Sequence, residues 1–223
     1  MILGLDFSII IKYLPLYGKG VLITILLSLF TIIFGSIIGF FLSLATISNK
    51  KYFSIPAKAY ISFIRGTPLL IQIYIFAYGI PMAFPSLNLG VVIAAMIGLS
   101  LNSVAYVAEI FRSGIQAVDK GQFEAGYAMG YSKMFVMRKI VLPQAIKNAL
   151  PSIGNEFVTI VKESSIVSVL GILDLTRVAD LIKADTLQLF EALLVSAVLY
   201  FAITFPITKL IQQLERRLRV NER

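Results

Sequence analysis

Charged and hydroxyl side chains sit inside long apolar stretches of this sequence, and they are where any chemistry would reside. Glu163 is the most informative of them. Measured from Ala149 it lies about 20 Å along a helix at 1.5 Å per residue. Burying a charge at membrane depth costs roughly 2.5–3.5 kcal/mol, so such a group faces water or a partner. Glu163 therefore either lines an aqueous path, where it would meet an ammonium or guanidinium group, or pairs with Arg65 or Lys162. Lys162 is the weaker partner because adjacent helix residues point apart. Thr159 lies one turn before Glu163 and extends the same polar stripe, and Ser164 joins it at an adjoining angle. Glu156, with Asn155 beside it, either touches solute or pairs with a basic loop residue. Asn102 and Tyr106 share a face at i, i+4, offering neutral groups to a zwitterion or hydrogen bonds to a neighbouring helix. Glu109 and Arg112 are three apart, a spacing that favours a pair within one helix. Arg65 opens Arg-Gly-Thr-Pro and is expected to lock two helices, with Glu109 as a candidate partner, or to act as a gate charge. Thr67 and Pro68 are expected to shape the helix rather than bind anything.

Nothing else in the chain suggests catalysis. The sequence has no Cys and no His, which excludes thiol chemistry and the commonest zinc sites. No metal cluster and no nucleophile–base–acid set is visible. Gly18-Lys19-Gly20-Val21 is a fragment of a phosphate loop that lacks the upstream glycine and the Ser/Thr after lysine. The chain is therefore expected to bind no cofactor directly and to be no enzyme by itself.

The elements that must carry these residues are membrane helices. The chain is 58% hydrophobic and only 14% charged, with a mean hydropathy of +0.87. That is not the composition of a soluble domain. The net charge of +8 is read as the basic excess of cytoplasmic loops rather than as a nucleic-acid surface. Spans are expected at about 21–47, 57–80, 89–111, 149–173 and 187–211, each near the roughly 20 residues a bilayer requires. Gly35 and Gly39 share a face of the first, a spacing that permits close helix approach. Pro68 should bend the second, and Pro81–Asn88 should be an uncharged turn. The start of the chain, up to Gly20, reads as a retained interfacial segment rather than a signal peptide. Basic residues gather around Lys50–Lys58, around Lys120–Lys139 and in the tail after Leu214. The segment Asp174–Thr186 is balanced in charge and is expected outside. This predicts a single all-α membrane domain, residues 1–223, with its N-terminus outside and its C-terminus inside. Five helices are few for enclosing a solute path, so a dimer is expected, with the path at the subunit boundary.

The stretch from Asp119 to Pro143 reads as two short helices joined by a turn. Asp119 to Gly121 can open the first, and Glu124 in its opening turn complements the helix dipole. Ala125, Ala128 and Met129 continue it, and Gly130 can stop it in a left-handed cap. Ser132 can cap the second, with Phe135, Ile140 and Leu142 on its apolar side and Pro143 at the next boundary.

Glu124-Ala125, Gly130 and Ile140 at their spacing, then Leu142-Pro143, resemble the EAA loop of ABC-importer permeases. Arg65 to Leu70, Asn102 to Arg112 and Lys162 to Ser165 resemble, in the same order, the polar amino-acid branch of that family. Gly126 departs from the pattern, which more often has alanine there; glycine should loosen that turn by ~1 kcal/mol. The resemblance implies a type I permease whose coupling helices, with Glu124, Ala125, Gly126, Gly130 and Ser132, dock in a groove of an ATPase dimer. ATP and magnesium would bind on that partner. It further implies a homodimer or a pair of homologous permeases, an extracytoplasmic amino-acid-binding protein, and import of a polar amino acid across the cell membrane. The intramembrane acids outnumber the bases, which leans towards arginine, lysine or histidine, with glutamine open. A membrane scaffold or signalling subunit that docks an ATPase without moving solute is an alternative, and a passive channel is another.

Overall fold

The computed structural model describes residues 7–8, 10–87 and 89–220. The expectations for the first six residues and Ile9, for Asn88, and for the last three residues of the basic tail lie outside the described residues. Among the described residues every regular element is helical. In chain order they are α1 (Ile10–Thr46), α2 (Lys51–Arg65), α3 (Leu69–Tyr74), α4 (Ile80–Ala83), α5 (Val91–Gln116), α6 (Lys120–Ala128), α7 (Lys133–Val136), α8 (Leu142–Glu163), α9 (Leu175–Thr186) and α10 (Leu189–Val220). Wider π turns at Ile75–Gly79 and Met137–Val141 link α3 to α4 and α7 to α8, and a tighter 3₁₀ stretch covers Ser164–Leu170.

Several boundaries differ from the sequence reading, each for a local reason. The first helix begins eleven residues before Val21 and continues through Pro15 in its second turn. The second predicted span does not merely bend at Pro68. It breaks, with Gly66 and Thr67 ending α2: Gly66 N–H donates to Ser62 O at 2.9 Å and the Thr67 hydroxyl to Phe63 O at 2.9 Å. The backbone before a proline is driven out of the helical region, which places the break here. Pro143 stands in the first turn of α8, which begins at Leu142, and the chain reaches it from α7 through the π turn Met137–Val141 without leaving helical conformation. The fourth predicted span stops at Glu163 rather than Leu173, and the supposed external loop is itself a helix, α9.

Among the described residues, three helices are long and apolar enough to cross a bilayer: Ile11–Thr46, Val91–Gln116 and Leu189–Leu218. A fourth follows if Lys51–Arg65 and Leu69–Ala83 count as one broken span. α8 does not reach that standard, because Lys147, Glu156, Lys162 and Glu163 dilute its apolar character.

The chain gathers into two compact units through which α1, α5, α8 and α10 all pass. One comprises the chain up to Ile32 with Leu69–Ser100 and Phe157–Ile207. Its core packs Tyr13 and Tyr17 of α1 on Leu175, Val178 and Ile182 of α9, and Leu27 on Ile73, Ala95, Leu99 and Val167. The short helix α9 is fixed by polar contacts as well. Buried Asp174 caps it, accepting from Thr176 N–H at 3.2 Å and Arg177 N–H at 2.9 Å, and the Tyr200 hydroxyl donates to the same carboxylate at 3.0 Å. Its far end is held by the Tyr13 hydroxyl, which donates to Asp185 at 2.7 Å.

The other unit comprises Ile33–Pro68, Leu101–Glu156 and the chain from Thr208. Here Gly35 and Gly39 lie directly on α5, where side chains would collide with Ser103, Val104 and Ala108. Ile61 and Ile64 pack on Ala105 and Ala108, and the Tyr60 hydroxyl donates to Leu101 O at 2.7 Å. Ile115, Val118, Val136, Val141 and Ala145 form a second core beneath the turn between α6 and α7.

Candidate functional site

Two features of this second unit stand out: an exposed surface on α6–α7, and a cavity along α5 and α8. The exposed surface begins with Asp119, whose side chain accepts from Gly121 N–H at 2.7 Å and caps α6. α6 ends one residue earlier than Met129. Gly130 follows at φ +79°, a conformation that favours glycine, and Tyr131 N–H returns to Gly126 O at 3.2 Å. Ser132 then caps α7, accepting from Phe135 N–H at 3.3 Å. Glu124 and Ala125 are exposed, and so are Tyr127, Met129, Tyr131, Met134 and Phe135. Gly126 is buried and abuts Val136 and Ile140, so the missing methyl there is matched by side chains from the next helix.

The cavity measures about 410 Å³, within the range of small-molecule sites. From α2 it receives Arg65; from α5, Tyr106, Glu109 and Ser113; from α8, Asn148, Ser152 and Glu156. These residues recur at helical spacing, Tyr106 and Ser113 two turns apart and Asn148, Ser152 and Glu156 one turn apart, so each helix turns one face to the space. Gly114 sets the approach of α5 to α8: a Cβ there would lie 2.7 Å from Ala145 O.

Charge in the cavity is organised around Glu109. Arg112 grips this carboxylate with two donors, its Nε at 3.0 Å from Oε2 and its Nη2 on Oε1, and also reaches Gln116 at 2.7 Å. Arg65 approaches Glu109 at 3.8 Å, and its guanidinium lies 5.5 Å from the centre of the Tyr106 ring. The guanidinium of Arg65 is thus restrained from two sides yet remains accessible.

The structure brings together Arg65, Tyr106, Glu109 and Glu156 but not the other residues expected on a path. Asn102 is buried within α5. Thr159, Glu163 and Ser164 fall in the other unit. Glu163 is half-buried at the last position of α8, and the Ser164 hydroxyl is bonded to Val161 O at 2.8 Å. Thr67 spends its hydroxyl on the end of α2. Ser113, Asn148 and Ser152 were missed by the sequence reading, although they lie at i+4 from Glu109 and at i−8 and i−4 from Glu156.

Residues 7–220 match the family described as the inner membrane component of binding-protein-dependent transport systems. The chain belongs to that family. Among relatives of this inner membrane component, a putative glutamine transport system permease protein of Rickettsia felis is 39% identical, the match covering 96% of this chain and all of the relative. The arginine transport system permease protein of Bacillus subtilis is 40% identical over 99% of this chain and all of its own length. The crystal structure of an amino acid ABC transporter with histidines superposes with a TM-score of 0.91 at 44% identity, covering 96% of this chain and 99% of that one. An inward-facing methionine ABC transporter shares the fold, with a TM-score of 0.72 at 18% identity over 91% of this chain and 98% of the other. This inner membrane component is thus an all-α, multi-pass permease subunit of an ABC importer, a translocation component whose family works with an ATPase and a binding protein.

Proposed function

We propose that this permease passes a polar amino acid into the cell, basic amino acids first and glutamine next, driven by ATP hydrolysis on a separate subunit. The observation that carries the reading is the cavity, where Arg65 and Glu156 set a cation and a carboxylate around one space amid neutral Tyr106, Ser113, Asn148 and Ser152. A zwitterion needs both charge signs. Glu156 suits an ammonium or guanidinium group, and the amides and hydroxyls suit a polar side chain. Relatives named for arginine and for glutamine support that substrate class.

In this reading the broken pair α2–α3 and the charged helix α8 are spans too, giving five. Lys50, Lys51, Lys120, Lys133, Arg138 and Lys139 then face the cytoplasm, with the N-terminus outside and the C-terminus inside. The exposed aromatic and methionine side chains around Glu124 dock in an ATPase dimer that holds ATP and magnesium. A second permease, identical or homologous, completes the path, and an extracytoplasmic protein delivers the solute. Closure of the ATPases moves α6–α7 as a rigid insert and opens the path outwards.

Uptake of labelled arginine, glutamine and glutamate into proteoliposomes holding the permease, its ATPase and its binding protein tests this. ATP-dependent arginine uptake is expected, falling about tenfold or more in Glu156→Gln, a loss of roughly 1.4 kcal/mol or more. A smaller fall is expected in Glu163→Gln. No ATP-dependent uptake of any of the three would overturn the amino-acid reading. Uptake that persisted without ATP, or after Glu124→Arg had displaced the ATPase, would favour a channel.

A further inference from the structure

A second and larger cavity, about 750 Å³, opens in the same unit where α6 begins and α10 ends. Its polar lining comprises Asp119, Gln144, Lys147, Asn148, Ser152 and Glu215. Ala117, Asn148 and Ser152 also line the first cavity, so the two spaces share a wall. The chemistry of the second space resembles that of the first. Lys147 supplies a cation, Asp119 and Glu215 supply carboxylates, and Gln144 and Asn148 supply neutral donors and acceptors. A lining of a single sign would suit a simple ion, whereas both signs around one opening suit a ligand that carries both.

The second cavity also touches the docking element. Asp119 is the cap of α6, and Gln144 donates to Gln122 of α6 at 3.3 Å as well as to Ile140 O at 2.9 Å. Two of its lining residues are therefore bonded to the helix proposed to meet the ATPase.

We infer that this cavity is a second zwitterion site on each permease, which holds the amino acid between the first cavity and the cytoplasm and couples its occupancy to α6. The inference rests on the amino-acid reading of the first cavity. Lys147 receives the α-carboxylate, and Asp119 and Glu215 receive the α-ammonium. Solute held there sits against the cap of α6 and slows the next turn of the ATPase until it leaves, so accumulated amino acid restrains its own import.

Calorimetric titration of the intact permease–ATPase complex in detergent, without binding protein, with arginine and separately with glutamine, tests the site. Two classes of site per permease are expected for at least one of them. Lys147→Gln should weaken one class about tenfold or more, and Glu156→Gln should weaken the other. Lys147→Arg should restore the first class, which separates a lost contact from a misfolded chain. In proteoliposomes preloaded with unlabelled ligand, the internal concentration that halves ATP hydrolysis should rise by a similar factor in Lys147→Gln. A single class, abolished by Glu156→Gln and untouched by Lys147→Gln, would overturn the second site and leave the import reading standing. Binding of neither ligand would overturn both.

Discussion

A Cβ placed on Gly126 would lie 2.7 Å from Cγ2 of Val136, a side chain with no exposed surface. Helix α6 is thereby seated on α7. Glycine inside a helix costs ~1 kcal/mol relative to alanine, but a methyl here would force Val136 into Ile140 or the core beneath it. Overpacking of that kind typically costs about 1–3 kcal/mol.

Gly126→Ala is accordingly expected to lower the melting temperature of the assembled complex and to loosen the link between ATP hydrolysis and uptake. Val136→Ala makes room for the new methyl, so the double variant should be more stable than the sum of the single changes implies. Thermal melts of the four combinations measure that coupling. Additive effects would show that the contact is immaterial.

Glu109 serves two guanidinium groups, and their geometries rank them. Arg112 makes two charge-assisted hydrogen bonds, the stronger kind, whereas Arg65 approaches at 3.8 Å with its side chain 44% exposed. Arg65→Gln should therefore cost no more than about 1 kcal/mol of stability. Glu109→Gln leaves two cations facing a neutral amide and should cost more than Arg65→Gln. Melting curves of both variants in the complex decide the order, and a larger loss in Arg65→Gln would reverse it.

Asp174 lies outside the long apolar helices, and burial pushes its carboxyl above the ordinary aspartate range, although backbone N–H groups and Tyr200 oppose the shift. The folded state then holds the proton more tightly than the unfolded state. Its stabilising effect is present at low pH and is lost as pH rises from the ordinary aspartate value through the raised one. Asp174→Asn keeps an oxygen for the cap of α9 and cannot ionise. Between mildly acidic and neutral pH, the variant should gain stability relative to the parent. Asp174→Ala should instead lose about 0.5–2 kcal/mol with the cap. Melts of the three proteins against pH check this, and parallel curves for the parent and Asp174→Asn would remove the assignment.

What could be read from the sequence was mostly local. Caps at Asp119 and Ser132 and the left-handed turn at Gly130 follow from side-chain chemistry within a few residues, and they stand where that chemistry puts them. The four-residue spacing of Gly35 and Gly39 likewise marks a face that α5 occupies. Helix ends were less legible. Ser164–Leu170 is as apolar as the helix before it, so hydropathy does not mark the change at Glu163, and α9 has the charge of a loop although its apolar face is buried on α1. The cavity was half-visible: single charges such as Arg65 and Glu156 stood out against apolar neighbours. Asn148, Ser152 and Ser113 did not, because their type is ordinary and only their helical register with those charges reveals them.

Two glycines of equal crowding show how the neighbour decides the outcome. A Cβ on Gly114 would lie 2.7 Å from Ala145 O, and one on Gly154 would lie 2.7 Å from Cγ1 of Ile211. The first obstacle is a backbone carbonyl of α8 and cannot yield unless two helices part. The second is an aliphatic side chain with other rotamers, which yields at the cost of an off-rotamer torsion, roughly 0.5–1.5 kcal/mol. Gly114→Ala is expected to destabilise the complex more than Gly154→Ala and, by spreading α5 from α8, to depress uptake as well. In an Ile211→Ala background, which removes Cγ1, Gly154→Ala should add little further loss, whereas Gly114→Ala should remain costly in an Ala145→Gly background, since that change leaves the carbonyl in place. Equal losses at the two glycines, measured as melting temperature and as initial uptake rate, would mean that the α5–α8 seam can open as readily as a side chain can turn.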